Sequence, residues 1–169
     1  GEEVARLASA FGMRVLGMRR SATRREEREK VTVLPPGDLP FLLAESDYAV
    51  LAVPLTPETT KLIGPAQLAS MKPGAILINV ARGEVVDEAA LVRALQEGPI
   101  GGAALDVFER EPLPPDSPLW GMPNVLVSPH VSGSSAHYDD LAADIFADNL
   151  RRYLAGEPLR NRVDPVLGY

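Results

Sequence analysis

Short apolar runs bounded by turn residues punctuate the chain at 14–17, 48–53, 75–80, 102–107 and 125–128, with Val31–Leu34 as a weaker sixth. Apart from the first, these runs are nearly continuous rather than alternating, as in strands covered on both faces. Between them, apolar positions recur at helical spacing over 2–11, Leu39–Glu45, 65–71 and Glu88–Glu97. Asp87 stands where an N-cap belongs, and Gly98 followed by Pro99 ends that helix. Alternation of strand and helix predicts a doubly wound α/β fold, a parallel sheet with helices on its faces.

Two segments depart from the alternation. Residues 109–123 carry five prolines and read as a fixed loop. Residues 134–155 form a long helical pattern with Leu141, Ile145, Leu150 and Leu154 as its apolar positions. Ser134 or Ser135 is placed to cap its start and Gly156 to end it, and the tail EPLRNRVDPVLGY then runs extended against some other surface. The opening GEEVARLASAFG reads as an acidic amphipathic helix rather than a secretory leader. It resembles the middle of a βαβ unit, its preceding strand and tight turn lying outside this sequence.

Composition narrows the functions available. The 169 residues suffice for one ordinary domain with a real core. A hydrophobic fraction of 46% and a charged fraction of 24% are globular values. Seventeen basic against 23 acidic residues leave a net charge of −6, which disfavours a general nucleic-acid surface. No apolar run approaches the roughly 18–20 residues of a membrane helix. Without cysteine there is no disulfide framework, thiolate metal site or cysteine nucleophile, and two histidines leave little for a metal centre. A cytoplasmic protein is the plain expectation.

Four motifs carry a more specific message: VPLTPET at 53–59, INVARGEVVD at 78–87, GAALDVFEREP at 102–112 and SPHVSG at 128–133. In order and spacing they resemble the D-isomer-specific 2-hydroxyacid dehydrogenases, on the glyoxylate and hydroxypyruvate reductase side of that family. The resemblance covers essentially the whole chain. It implies a partial dinucleotide-binding domain over 1–133, lacking its first strand, then a long helix and C-terminal segment over 134–169 that returns to a substrate domain. Gly1 matches the last glycine of a G-x-G-x-x-G phosphate loop, whose first two glycines are outside the sequence.

The resemblance implies a hydride exchange between a nicotinamide cofactor and a small 2-keto or 2-hydroxy acid, with no metal. Arg82 follows an apolar strand, where open α/β sheets place ligands, and a guanidinium there grips a carboxylate and polarises the adjacent carbonyl. His130 is the acid, and Glu111 the carboxylate that favours its protonated form. Asp106 stands near the nicotinamide end, while Val53, Pro54, Val80, Ala81, Ser132 and Gly133 line the cofactor. The plainer readings are an exposed loop arginine, a capping histidine, a solvated loop acid and a turn-capping aspartate. His137 and Trp120 read as surface and loop packing.

After the second strand of the family pattern stand Arg19, Arg20 and Ser21, where NAD-using relatives carry an acid that bonds the ribose hydroxyls. Guanidiniums there suit a 2′-phosphate, so NADP is the preferred cofactor, with NAD the second. The alternative is that 19–30 is a solvated charged helix. A homodimer is implied, and the competing functions are a non-catalytic dinucleotide-binding module, as in corepressor relatives, and an inactive fragment.

Overall fold

The computed structural model describes residues 1–165. Contacts divide the chain into two compact units, Gly1–Pro129 and His130 onward. The first unit opens with α1 (Glu2–Ala10), followed by β1 (Val15–Met18), β2 (Glu26–Arg28), β3 (Val31–Leu34) and α2 (Leu39–Glu45). It continues through β4 (Tyr48–Leu51), α3 (Pro65–Ser70), β5 (Ile76–Asn79), α4 (Glu88–Glu97), β6 (Gly102–Leu105) and β7 (Val125–Val127).

Strands β4, β5, β6 and β7 form a four-stranded, wholly parallel sheet in that order. β1 pairs in parallel with β3, and β2 lies antiparallel on β3's other side. The β3–β1 neighbours and the β4–β5–β6 run match parts of the doubly wound order 3-2-1-4-5-6. The α/β class and the parallel order thus follow the periodicity.

The core lies around the four-stranded sheet, with Leu43, Ile63, Leu68, Leu77, Leu91 and Leu119 almost completely buried. Each such side chain contributes about 1.5–3 kcal/mol through the area it removes from water. Asp87 caps α4 as its position predicts, accepting the Ala90 N–H at 2.9 Å.

Four local expectations need correction. The charged stretch 19–30 holds no helix: Glu26–Arg28 is an edge strand exposed throughout, followed by Glu29 and Lys30 in left-handed conformation. Not every strand is covered on both faces either, since Tyr48 and Val50 of β4 and Leu126 of β7 are exposed. The 109–123 loop contains a 3-10 turn, Pro118–Gly121, capped by Ser117. In the second unit, α5 spans Tyr138–Ala155, starting four residues late, and His137 rather than a serine holds the N-cap position. Ser134 N–H instead closes a turn to the Val131 carbonyl, and Ser135 gives its own carbonyl to Tyr138 N–H.

Gly156 ends α5 at φ 71°, the left-handed conformation that glycine adopts without strain. The tail folds back on the helix: Asn149 accepts the Arg160 N–H at 2.8 Å and donates to the Arg160 carbonyl at 3.0 Å. Arg160 also reaches Asp148 at 3.3 Å. The tail's packing partner is therefore its own helix as far as the described residues go; positions 166–169 lie outside them.

Candidate active site

The parallel sheet delivers the ends of β4, β5, β6 and β7 to one edge, its carboxyl edge. At the end of β5, Asn79 is a buried polar side chain, 1% exposed. Its Oδ1 accepts the Ala81 N–H at 3.0 Å, and its Nδ2 donates to the Arg82 carbonyl at 3.0 Å. One side-chain amide thus closes the turn that carries Arg82 and satisfies backbone groups that would otherwise be costly to bury. Arg82 is exposed, and its Nη1 donates to the Ala81 carbonyl at 2.6 Å. Sequence reasoning missed Asn79. Its signal was a lone polar residue closing the apolar run, two places before a buried alanine.

The same lacing continues across the edge. Asp106 follows β6, is 4% exposed, and donates its N–H to the Asn79 carbonyl at 3.0 Å. Its Oδ1 accepts the Ser128 hydroxyl at 2.7 Å, while Ser128 N–H bonds the Leu105 carbonyl at 2.9 Å. The ends of β5 and β6 are thereby tied through backbone, and those of β6 and β7 through side chains as well. Beyond Asp106 the chain turns so that Glu111 Oε1 accepts the Phe108 N–H at 3.0 Å; the Glu111–Pro112 peptide bond is cis. Trp120 Nε1 donates to the Pro114 carbonyl at 2.9 Å, consistent with loop packing.

After β4, Val53 is half-buried and Pro54 exposed, the Pro54 carbonyl accepting the Thr59 hydroxyl at 2.7 Å. Val80 is exposed and Ala81 buried in the turn. Arg82, Asp106 and Glu111 belong to the first unit with these residues. His130 opens the second, exposed and at φ 55°, with Ser132 and Gly133 exposed just after it. His137 is exposed as well. Among the described residues, no group of three acidic or imidazole side chains is placed to hold a metal ion.

A second feature follows β1. An open cavity of about 430 Å³ is lined by Arg19, Ser21, Ala22, Thr23, Arg24 and Glu26. Two guanidiniums and two hydroxyls there fit an anion, with one carboxylate alongside. Arg20 does not line it and acts on Glu58, whose carboxyl is held below the usual range first by Thr56, then by its own N–H and by the Arg20 charge. Thr23 and Arg24 are lining residues that the sequence did not single out. Arg25 turns aside to Asp38 at 2.6 Å and stacks over Phe41. Gly1 is exposed at the N-cap of α1, its carbonyl accepting the Ala5 N–H at 3.0 Å.

A parallel sheet with polar residues concentrated at its carboxyl edge and an arginine-lined cavity after an early strand defines a doubly wound α/β protein of the dinucleotide-binding class. Residues 1–132 match the family model described as D-isomer specific 2-hydroxyacid dehydrogenase, NAD binding domain. The chain belongs to that family. It is 47% identical over 164 residues to a glyoxylate reductase of Korarchaeum cryptofilum, covering 97% of this chain and 49% of the relative. To glyoxylate/hydroxypyruvate reductase B of Pectobacterium carotovorum it is 56% identical over 131 residues, covering 76% of this chain and 40% of the relative. Among solved structures, a D-isomer specific 2-hydroxyacid dehydrogenase from Xanthobacter autotrophicus in complex with NADPH and MES superposes with a TM-score of 0.92 at 46% identity. That match covers 100% of this chain and 68% of the other. An NADPH-dependent glyoxylate/hydroxypyruvate reductase from Sinorhizobium meliloti, solved with NADP and sulfate, gives a TM-score of 0.91 at 37% identity, covering 100% and 54%. The chain spans about half the length of the curated relatives it matches.

Proposed function

We propose that the whole protein reduces a small 2-keto acid of the glyoxylate or hydroxypyruvate type to its 2-hydroxy acid, preferring NADPH and accepting NADH. The observation that carries this reading is the Arg82 turn. An exposed guanidinium is mounted on a buried, fully bonded amide at the carboxyl edge of a parallel sheet. Such a mount holds a carboxylate-binding cation in place before substrate arrives, which is how positioning lowers a barrier. The family's named reductases and the NADPH-bound neighbours supply substrate class and cofactor for those proteins, and the arginine-lined cavity after β1 supports the same cofactor here.

When bound, the nicotinamide supplies the hydride that reaches the keto carbon. In this reading Arg82 binds the substrate carboxylate and polarises the neighbouring carbonyl. His130 gives its proton to the developing alkoxide, so the product is a neutral hydroxyl beside a carboxylate. Glu111 is the further catalytic carboxylate of this reading, and Asp106 stands at the nicotinamide end. Val53, Pro54, Val80, Ala81, Ser132 and Gly133 line the cofactor, Gly1 faces its pyrophosphate, and Arg19 and Ser21 serve the 2′-phosphate, whereas Arg20 acts on Glu58 outside the cavity. The arginine, glutamate and histidine together favour turnover over a binding module without chemistry.

The same proposal places the protein in the cytoplasm as a homodimer, with 1–133 as nucleotide-binding domain and 134–169 leading back to the substrate domain. The exposed apolar side chains of α5, among them Leu141, Phe146 and Tyr153, support its burial in the complete assembly. No helix of the described residues is long and apolar enough to cross a membrane. Mixing the whole protein with glyoxylate and NADPH should consume NADPH absorbance in proportion to glycolate formed. Absence of turnover with glyoxylate and hydroxypyruvate, using either cofactor, would sink the proposal.

A further inference from the structure

Between the Arg82 turn and the Glu111 loop lies a contact that neither proposed role uses. The N–H of Glu88, first residue of α4, donates to Glu109 Oε1 at 3.3 Å, and the N–H of Glu109 donates to Glu88 Oε2 at 3.1 Å. Each glutamate therefore satisfies the other's backbone, across 21 positions of sequence. A free helix N–H and a free loop N–H are both satisfied by side chains from the opposite segment.

The surroundings show two segments brought together closely rather than brushing past each other. Gly83, immediately after Arg82, lies so near the Phe108–Glu109 peptide that a Cβ on it would overlap the Phe108 carbonyl and the Glu109 nitrogen. Only glycine lets the backbones meet there. On the far side of the same peptide, Phe108 N–H donates to Glu111 Oε1 at 3.0 Å. Lys61 Nζ stands 3.8 Å from Glu109 Oε1 and 3.7 Å from Asp87 Oδ2, so one cation faces two carboxylates. Partial burial, and after it the Glu109 charge, raise Glu88 above the ordinary glutamate range, against the Glu109 N–H that lowers it. Two acids held this close are electrostatically unfavourable, and backbone bonding together with Lys61 offsets the repulsion.

We infer that Glu88 and Glu109 form a reciprocal clasp that holds the Glu111 loop against the Arg82 turn, making both glutamates positioning residues for the reaction. The inference rests on the roles proposed above for Arg82 and Glu111. The clasp acts on Glu111 through one peptide, Phe108–Glu109, so slackness at Glu109 is transmitted to the carboxylate two residues on. Glu88 is half-buried and Glu109 exposed, so replacing either leaves the core intact.

Glu109→Ala removes one of the two bonds, whereas Glu109→Gln keeps an acceptor oxygen at the same place and removes only charge. In the whole protein, Glu109→Ala should lower kcat for keto-acid reduction about tenfold, roughly the worth of one hydrogen bond, with KM for NADPH unchanged. Glu109→Gln should recover most of that loss, and the Glu88 carboxyl, followed by NMR, should titrate lower in it. The clasp itself is read without turnover, from hydrogen exchange at the Glu88 and Phe108 amides, which should quicken about fivefold to tenfold in Glu109→Ala. Unchanged exchange at both amides overturns the clasp. Faster exchange with an undiminished kcat overturns its positioning role. If the unmodified protein turns over no keto acid, the function proposal fails instead, and the Phe108 amide alone decides whether the clasp orders the Glu111 loop.

Discussion

Two arginine-bearing turns, one after β5 and one after β1, are built in opposite ways. Arg82 stands on a turn whose backbone is bonded by the buried Asn79 amide, and the neighbouring strand ends are tied through Asp106 and Ser128. Arg19 stands at the mouth of an open cavity beside exposed Ser21, Thr23 and Arg24 and the wholly exposed β2. The first turn is pre-organised, and its cation loses little freedom when it meets an anion. The second must order long side chains from solvent, so the bond it makes is diluted by entropy and screened by salt. In the proposed reading, chemistry falls on the first kind of support and discrimination between related ligands on the second. A preference survives loose anchoring, whereas proton and hydride transfer do not.

The harshest trial of this contrast is to remove the working groups. In the whole protein, His130→Ala should lower kcat by about 10²–10⁴-fold, the usual worth of a positioned acid. Arg82→Ala should raise KM for the keto acid and lower kcat together, because the cation both binds and polarises. Arg82→Lys should rescue only part, since a single ammonium does not reproduce the guanidinium fork. Steady-state kinetics on the three variants decide it, and a histidine variant with full kcat would move the acid elsewhere.

The legibility of the molecule follows the same divide. The parallel sheet was readable because buried strands leave continuous apolar runs, and Asp87 because a cap has a fixed place before a helix. Arg82 could be picked out by its motif, but Asn79 beneath it could not, since what matters is a side chain folding back on its own turn. β2 was missed because its Glu-Glu-Arg sequence has no apolar face, as suits an exposed edge strand. The start of α5 was misplaced because a serine can cap a helix or sit in the turn before it, and local sequence does not distinguish these uses. The clasp between Glu88 and Glu109 joins positions 21 apart and leaves no periodic trace.

A milder trial falls on the Arg19 turn. If Arg19 meets a 2′-phosphate, the whole protein should show a lower KM for NADPH than for NADH. The ratio should be about ten- to hundred-fold, from one or two charge-assisted bonds less the ordering they require. Added salt should narrow that gap while leaving kcat at saturation much as it was. Arg19→Asp should reverse the preference, because a carboxylate accepts from ribose hydroxyls and repels phosphate. Arg20→Ala should change it little, given that Arg20 faces Glu58 and does not line the cavity. Equal KM values in the unmodified protein would return the whole stretch to solvated charge.

The smallest expected effect lies in the second unit, where the tail is held to α5 by exposed charges and one amide. Asp148 takes the Arg152 guanidinium at 3.0 Å and the Arg160 guanidinium at 3.3 Å. The Arg152 hydrogen bond holds its carboxyl below the ordinary aspartate range, aided by the Arg160 bond and opposed by desolvation. With the folded value lowered, an undocked tail binds the proton more readily than a docked one. The ion pairs therefore contribute fully above the ordinary aspartate value, fade as pH falls through it, and are gone below the lowered one. Arg160 N–H reports on this directly, since it donates to Asn149 beside Asp148. Its exchange, corrected for the intrinsic acid dependence, should stay constant from neutral pH to the top of that window and then quicken severalfold at most, because solvent screens such exposed pairs. Asp148→Asn should flatten the response while leaving the Asn149 bonds in place. A response that persists in Asp148→Asn would take the tail's pH sensitivity away from the Asp148 ion pairs.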